Sequence, residues 1–355
     1  MRIAYNSYNG RYSDSPRAVH EALVQRGDPH EHVWLADPEH GADFPAGVET
    51  VPIYTPSAVE ALESVDLVVS NSHLEMEWTK RPGATYVQTW HGTPLKRIHA
   101  DALGGPPGLL EHLSRDVDRW DVLLTPNGYS TTTMRRAFRW GGEVLEIGYP
   151  RNDVLLSPRA GAVRQEVRRA FGVEDGRVAV LYTPTWRDDT FWDGSAAERA
   201  LALDLDRFTD ALGEDHVLLL RLHYKLVGML DGLDHPGVVD VCRYPETSHL
   251  YLAADLMVTD YSSTMFDFAV TGKPLLFYAY DMERYRDELR GFYFDLALDP
   301  PGPLASTTDE LAGYVRDVGR HHVQHASHYE RFRERFCHLD DGAATARFLA
   351  RFLDS

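Results

Sequence analysis

Four stretches of this sequence end an apolar run with residues able to hold a proton or a phosphate. "TYVQTWHGTP" closes on His91, Gly92, Thr93 and Pro94; "VAVLYTPTWR" runs through Thr183 to Arg187; "HVLLLRLHYK" carries His223; "DLMVTDYSST" ends on Asp260, Ser262 and Ser263. An imidazole at a strand end accepts a proton when neutral and donates to phosphate oxygens when charged. Two serines at a helix start offer hydroxyls and unpaired backbone N–H groups to an anion, and the helix dipole adds to the attraction. Asp267 falls one turn further and could accept from ribose hydroxyls. If the four stretches share one cleft, its ligand is a nucleoside diphosphate. Each stretch alone has a plainer reading, because serine caps are common and most of the 17 histidines must be surface or packing residues.

The elements that would position these residues are visible as continuous apolar runs: 2–7, 32–36, 51–55, 66–71, 85–90, 121–126 and 144–148, then 178–184, 216–223, 238–242, 255–260 and 274–278. Helical patterns over 57–64, 130–139, 161–171, 246–254 and 263–271 fall between them. Continuous rather than alternating runs, separated by helices, predict parallel strands buried on both faces in an α/β fold. Open parallel sheets bind ligands at the carboxyl ends of their strands, where all four stretches lie. The breaker-rich segment 148–161 reads as a linker. It divides the chain into doubly wound domains at 1–150 and 151–330, followed by amphipathic helices over 331–355 that pack on a domain and could return to the first.

Composition narrows the class. The 355 residues, 43% of them apolar, suit two domains. Two cysteines, Cys242 and Cys337, are too few for a disulfide framework and fit packing in a reducing compartment. The first thirty residues hold no apolar leader core and no run is long enough to span a membrane, which predicts a cytoplasmic protein. A formal net charge of −18 disfavours a nucleic-acid surface, so an anionic ligand must be held by a local basic pocket. In the tail, Arg331, Arg333, Arg335, Arg347 and Arg351 could touch an anionic membrane surface, a weaker reading than packing.

"QTWHGTPLKRI", "YTPTWRDD", "RLHYK" and the long block from Tyr251 to Leu296, with "NSYNGRYSDSPRAVHEAL" near the start, resemble the CDP-glycerol glycerophosphotransferase family of teichoic-acid primases and polymerases. The resemblance covers nearly the whole chain. It implies a two-domain fold of the glycosyltransferase B type, with the donor held mainly by the second domain and the acceptor approaching over the first. The reaction implied is transfer of glycerol phosphate, or a related polyol phosphate, from CDP-glycerol or CDP-ribitol to a hydroxyl of a lipid-linked or polymeric acceptor. CMP leaves, with no metal and no cofactor, at the cytoplasmic side of the membrane.

Carried onto this sequence, the family pattern makes His91 the general base. His223 would bind the diphosphate and stabilise the leaving CMP. Arg187 would be a further phosphate contact, Thr183, Ser262 and Ser263 would line the donor site, and Asp267 would bind the ribose. Arg290, beside Gly291 in the charged and aromatic segment 280–295, would lie near the donor on a mobile flap. Gly10, Arg11 and Ser15 would line the acceptor side, with Gly92 and Thr93 keeping the loop after His91 tight. The chain lacks the long N-terminal extension of the large polymerases, which favours a primase-like or capsule-type transferase. Two alternatives stay open: a glycosyltransferase of the same fold using a nucleotide sugar, and a noncatalytic nucleotide-binding partner of an envelope-assembly complex.

Overall fold

The computed structural model describes residues 1–103, 107–185, 187, 201–222 and 235–354. Two compact units emerge: residues 1–93, 98–154 and 338–355 make the first, and residues 94–97 and 155–337 the second. The main division thus falls just beyond the expected 150/151. The tail divides at 337/338 rather than leaving the second domain at 330/331.

The first unit is built on a seven-stranded sheet of β1 (Arg2–Asn6), β2 (Glu31–Ala36), β3 (Glu49–Pro52), β4 (Leu67–Ser70), β5 (Thr85–Gln88), β6 (Val122–Thr125) and β7 (Glu143–Glu146). Its order is β3-β2-β1-β4-β5-β6-β7, with every pairing parallel. Successive residues of a strand point to opposite faces, and both faces are dry. Ala4, Val33, Leu35, Val68, Tyr86 and Leu123 enter one core; Ile3, Tyr5, Trp34, Leu67, Val69, Val87, Val122 and Leu124 enter the other. The apolar runs are continuous for that reason.

The second unit holds a six-stranded parallel sheet of β8 (Val178–Thr183), β9 (His216–Leu220), β10 (Val238–Asp240), β11 (Leu256–Thr259), β12 (Leu275–Tyr278) and β13 (Leu304–Ala305), ordered β10-β9-β8-β11-β12-β13. Val180, Tyr182, Leu218, Leu220, Val258 and Leu276 fill the core on one of its faces. Every strand but β13 falls on or overlaps an apolar run of the sequence. β13 is two residues long, too short to leave a pattern.

The tail follows its own apolar contacts. In the helix Ala326–Phe336, Phe332 and Phe336 pack on Phe266 of the second unit, at ring distances of 5.2 and 4.9 Å. The helix Ala344–Phe352 buries Phe348 and Leu349 in the first unit, in the core that also takes Val19 and Leu23 of the helix Asp14–Arg26. The tail arginines considered for membrane contact are engaged within the protein. Arg331 pairs with Asp299, Arg333 with Glu330, Arg347 with Asp341 and Arg351 with Glu143, while Arg335 lies over Phe294 and Phe336. Among the described residues no helix is long and apolar enough to cross a membrane.

Candidate active site

In each sheet the strand order reverses at one point, between β1 and β4 in the first unit and between β8 and β11 in the second. Ligands of doubly wound sheets lie at the carboxyl ends of the strands beside such a point. Among the described candidates, Gly10, Arg11 and Ser15 follow β1, Thr183 and Arg187 lie at the end of β8, Ser262 and Ser263 follow β11, and His91, Gly92 and Thr93 follow the neighbouring β5.

In the first unit the reversal point is lined by small polar side chains. Asn6, Ser7, Ser70, Asn71, Gln88 and Thr89 are all fully buried. Buried polar groups are usually paired, and several here pair across strands, although Asn6 Oδ1 has no partner among the described residues. Asn6 Nδ2 donates to Ser70 Oγ at 2.9 Å, Asn71 Nδ2 donates to Ser7 Oγ at 3.1 Å, and the Tyr8 N–H donates to Asn71 Oδ1 at 2.9 Å. This network fixes the backbone of Asn71, whose carbonyl oxygen lies 2.6 Å from His91 Nδ1.

That contact sets the state of His91. A carbonyl oxygen only accepts, so Nδ1 carries the ring proton and the neutral imidazole keeps its lone pair on Nε2. Although the ring retains some exposure to solvent, burial pushes its pKa down to about 4, with Arg151 and His73 pushing the same way; the Asn71 carbonyl and Asp14 pull against them. At neutral pH His91 is therefore a base. The Trp90 ring stacks on it at 4.2 Å, and Tyr8 lies 5.4 Å away on another side. Trp90 is held at φ +53°, a left-handed conformation that costs a non-glycine residue about 1–3 kcal/mol and persists where packing imposes it.

Asp14 and Arg151 were not singled out in the sequence, yet both act electrostatically on His91. Asp14, another non-glycine residue at positive φ (+63°), accepts from Tyr8 Oη at 3.0 Å, from Arg151 Nη1 at 2.9 Å and from the Ser15 N–H at 2.6 Å. The pair is buried, each side chain 6% exposed. Arg151 comes from "GYPRND", read above as part of the linker. The available signal was an arginine directly after the last strand of the first unit.

The acceptor-side candidates divide. Ser15 is buried beside Asp14, and Thr93 is buried with its hydroxyl accepting from Ser130 at 3.4 Å. Gly92 is buried and Arg11 half-buried. Gly10 has a structural reason to be glycine. Its φ is +115°, its carbonyl accepts from the Asp37 N–H at 2.9 Å, and an added Cβ would lie 2.2 Å from that nitrogen. Gly10→Ala is expected to lower stability by at least about 1–3 kcal/mol, read as a fall in the thermal midpoint.

In the second unit, Thr183, Ser262 and Ser263 converge on Thr264. The hydroxyls of Thr183 and Thr264 are 3.0 Å apart, the Thr264 N–H is 3.4 Å from Ser262 Oγ, and Ser263 precedes the helix Thr264–Ala269 without capping it. The serines stay half-exposed. Thr183 is buried and already paired, so it braces this turn rather than presenting its hydroxyl. Asp267 is buried within the helix.

Arg187, expected to be a phosphate contact, is enclosed by protein groups. It is 8% exposed, donates through Nε and Nη2 to Asp281 at 2.7 and 2.8 Å, and donates through Nη1 to Asp260 at 2.9 Å. Tyr261, Tyr280 and Tyr285 each place a ring within 5.2 Å of its guanidinium. Burial works against its charge, but Asp260 and then Asp281 outweigh burial and hold its pKa above the ordinary arginine value. Asp260 also accepts from the N–H groups of Thr185 and Tyr261, at 2.9 and 2.5 Å. Arg187 thus ties together the loops after β8, β11 and β12.

The segment 280–295, expected to be a mobile flap, packs through two of its rings. Tyr285 and Phe292 are buried against Tyr261. Arg290 ends the π-helical turn Tyr285–Leu289, its N–H donating to the Tyr285 carbonyl at 3.1 Å. His223 lies outside the described residues.

Comparison with known proteins shows what the whole chain is similar to. A poly(glycerol phosphate) polymerase of teichoic acid from Staphylococcus epidermidis is 36% identical over 97% of this chain, which spans 49% of that relative's length. A teichoic acid glycerol-phosphate transferase from Staphylococcus aureus is 34% identical over 97% of this chain and 91% of its own. The structure of the wall teichoic acid polymerase TagF superposes with a TM-score of 0.87 at 34% identity, covering 98% of this chain and 87% of that one, so the fold is the two-domain α/β fold of glycosyltransferase B type. Residues 1–353 match the CDP-Glycerol:Poly(glycerophosphate) glycerophosphotransferase family, and the chain belongs to that family.

Proposed function

We propose that this chain transfers glycerol phosphate from a CDP-activated donor to an acceptor hydroxyl, releasing CMP, in the synthesis of a teichoic-acid-like envelope polymer. The observation that carries the reading is His91 at the end of β5, neutral, with Nδ1 pinned and Nε2 unprotonated, in a chain of this family. The acceptor oxygen attacks the phosphorus that bears glycerol and gives its proton to His91 Nε2. A new P–O bond forms as the bond to CMP breaks, and CMP leaves with the electron pair. The polar turn at Ser262 and Ser263 is the donor-phosphate contact in this reading, with His223 as its sequence-derived partner.

Glycerol is favoured over ribitol by degree of similarity. Relatives named for poly(glycerol phosphate) reach 32–36% identity over 97–99% of the chain, whereas those named for ribitol phosphate reach 26–30% over 47–78%. A glycerol-phosphate primase from Bacillus subtilis is 24% identical over 76%, so similarity does not follow the primase-like expectation.

The test is to incubate the protein with CDP-glycerol, CDP-ribitol or a UDP-sugar, each with a lipid-linked disaccharide or a short glycerol-phosphate oligomer. CMP appearing with CDP-glycerol, and lengthening of the acceptor, is the expected result. UDP from the nucleotide sugar would transfer the assignment to a glycosyltransferase. No turnover with every donor would leave the noncatalytic reading.

A further inference from the structure

Beneath His91 lies a second histidine that the transfer reading does not use. His73 is buried in the loop Asn71–His73 that leaves β4. Its Nδ1 is 3.3 Å from Asp116 Oδ2, which also accepts from Trp120 Nε1 at 2.9 Å and from Tyr86 Oη at 3.3 Å. The His73 ring lies parallel to Trp120 and to His99, at 5.5 and 5.6 Å, and meets Trp90 edge-on at 5.6 Å.

His73 reaches His91 by two routes. One is the ring of Trp90, which touches His73 with its edge and stacks on His91. The other is the backbone of its own loop, two residues back, where the Asn71 carbonyl fixes His91 Nδ1. Packing alone does not account for an imidazole here. His73 Nε2 is buried with no hydrogen-bond partner among the described residues, a state that costs stability and that a phenylalanine ring would avoid. Its Nδ1–H bond to Asp116 is the property a phenyl ring could not supply.

We propose that His73, anchored by Asp116, is a positioning residue for His91: it holds the Trp90 ring and the Asn71 carbonyl so that His91 keeps one tautomer in a dry setting. The proposal rests on reading His91 as the base. The charged and titratable groups around the two rings are Asp116 and His99 at His73, and Asp14, Arg151 and His73 itself at His91.

The experiment uses the full chain with 15N-labelled imidazoles, His91 being assigned by difference from His91→Ala. In the wild type His91 should show the Nδ1–H tautomer alone, with a titration near the value of about 4 that its burial sets. In His73→Ala a mixture of tautomers is expected, with the titration moving up toward the ordinary histidine value as water enters. The turnover number should fall by about tenfold or more, in line with loss of orientation at one catalytic group, while KM for CDP-glycerol stays within about twofold. Asp116→Asn keeps an amide oxygen that accepts from His73, Trp120 and Tyr86, so it should retain most of the turnover.

If His73→Ala does not fold, His73→Phe keeps the ring volume without the bond to Asp116 and should show the same tautomer mixing. A folded His73 variant in which the His91 tautomer and titration match the wild type overturns the proposal, whatever happens to turnover. Failure of the base reading looks different: His91→Ala would retain turnover while the ring signals still responded to His73.

Discussion

Replacing His91 by alanine is expected to lower turnover by about 10²–10⁴-fold, the usual contribution of a positioned general base, with CDP-glycerol still bound. The turn at Ser262, the donor contact under the proposed function, belongs to the second unit and is built without His91, so affinity for the donor has no reason to follow the loss. The same histidine sets the acid side of the pH profile. Its neutral form is the active one, and burial holds its pKa at about 4, so turnover should stay level from neutral pH down to about 5 and fall through pH 4. Folding is linked to the same proton. The unfolded histidine titrates near 6.5 and the folded one near 4, so the unfolded chain takes up the proton first. Its contribution to stability is complete above pH 6.5 and is lost as pH falls from 6.5 toward 4. A pH–rate profile with an acid limb near 6.5, or turnover surviving in His91→Ala, would remove His91 from the base role.

Arg187→Met should be the most destabilising single substitution on the donor side. The guanidinium spans Asp260 and Asp281, all three side chains being well shielded, at 8%, 2% and 13% exposure. Removing the cation leaves two carboxylates without their partner, which costs about 3–5 kcal/mol for a buried pair. Lysine should not rescue it, because one ammonium cannot reproduce a planar fork that meets Asp281 with two parallel bonds. Urea unfolding gives the comparison. Adding Asp281→Asn to Arg187→Met should recover part of the loss, since one stranded charge disappears. If Arg187→Met unfolds within about 1 kcal/mol of the wild type but binds CDP-glycerol poorly, the guanidinium is a phosphate contact after all, and its ion pairs are incidental.

The two substitutions also show how unevenly the site could be read in advance. The position of His91 and the serine pair just beyond strand ends was legible because the carboxyl end of a buried parallel strand is a place defined by local pattern: an apolar run, then a polar or reactive residue. Arg187 was legible as a residue but not its ion pairs. Nothing around it in sequence announces Asp281, 94 residues further on, as its partner. In 280–295 the charged surface pattern likewise conceals Tyr285 and Phe292, whose burial depends on Tyr261 from another loop.

What the sequence determined alone is the α/β character of the chain, nearly every strand, and the chemistry placed at the strand ends. Side-chain type and spacing along one strand or helix suffice for these, because the period of apolar residues records how many faces are buried. Only tertiary structure decided that Asp14 meets Arg151 across 137 residues and that the Asn71 carbonyl chooses the His91 tautomer. Each of these depends on which distant groups share a dry environment. Desolvation and pairing energies, which set protonation and orientation, arise only when the chain brings those groups together.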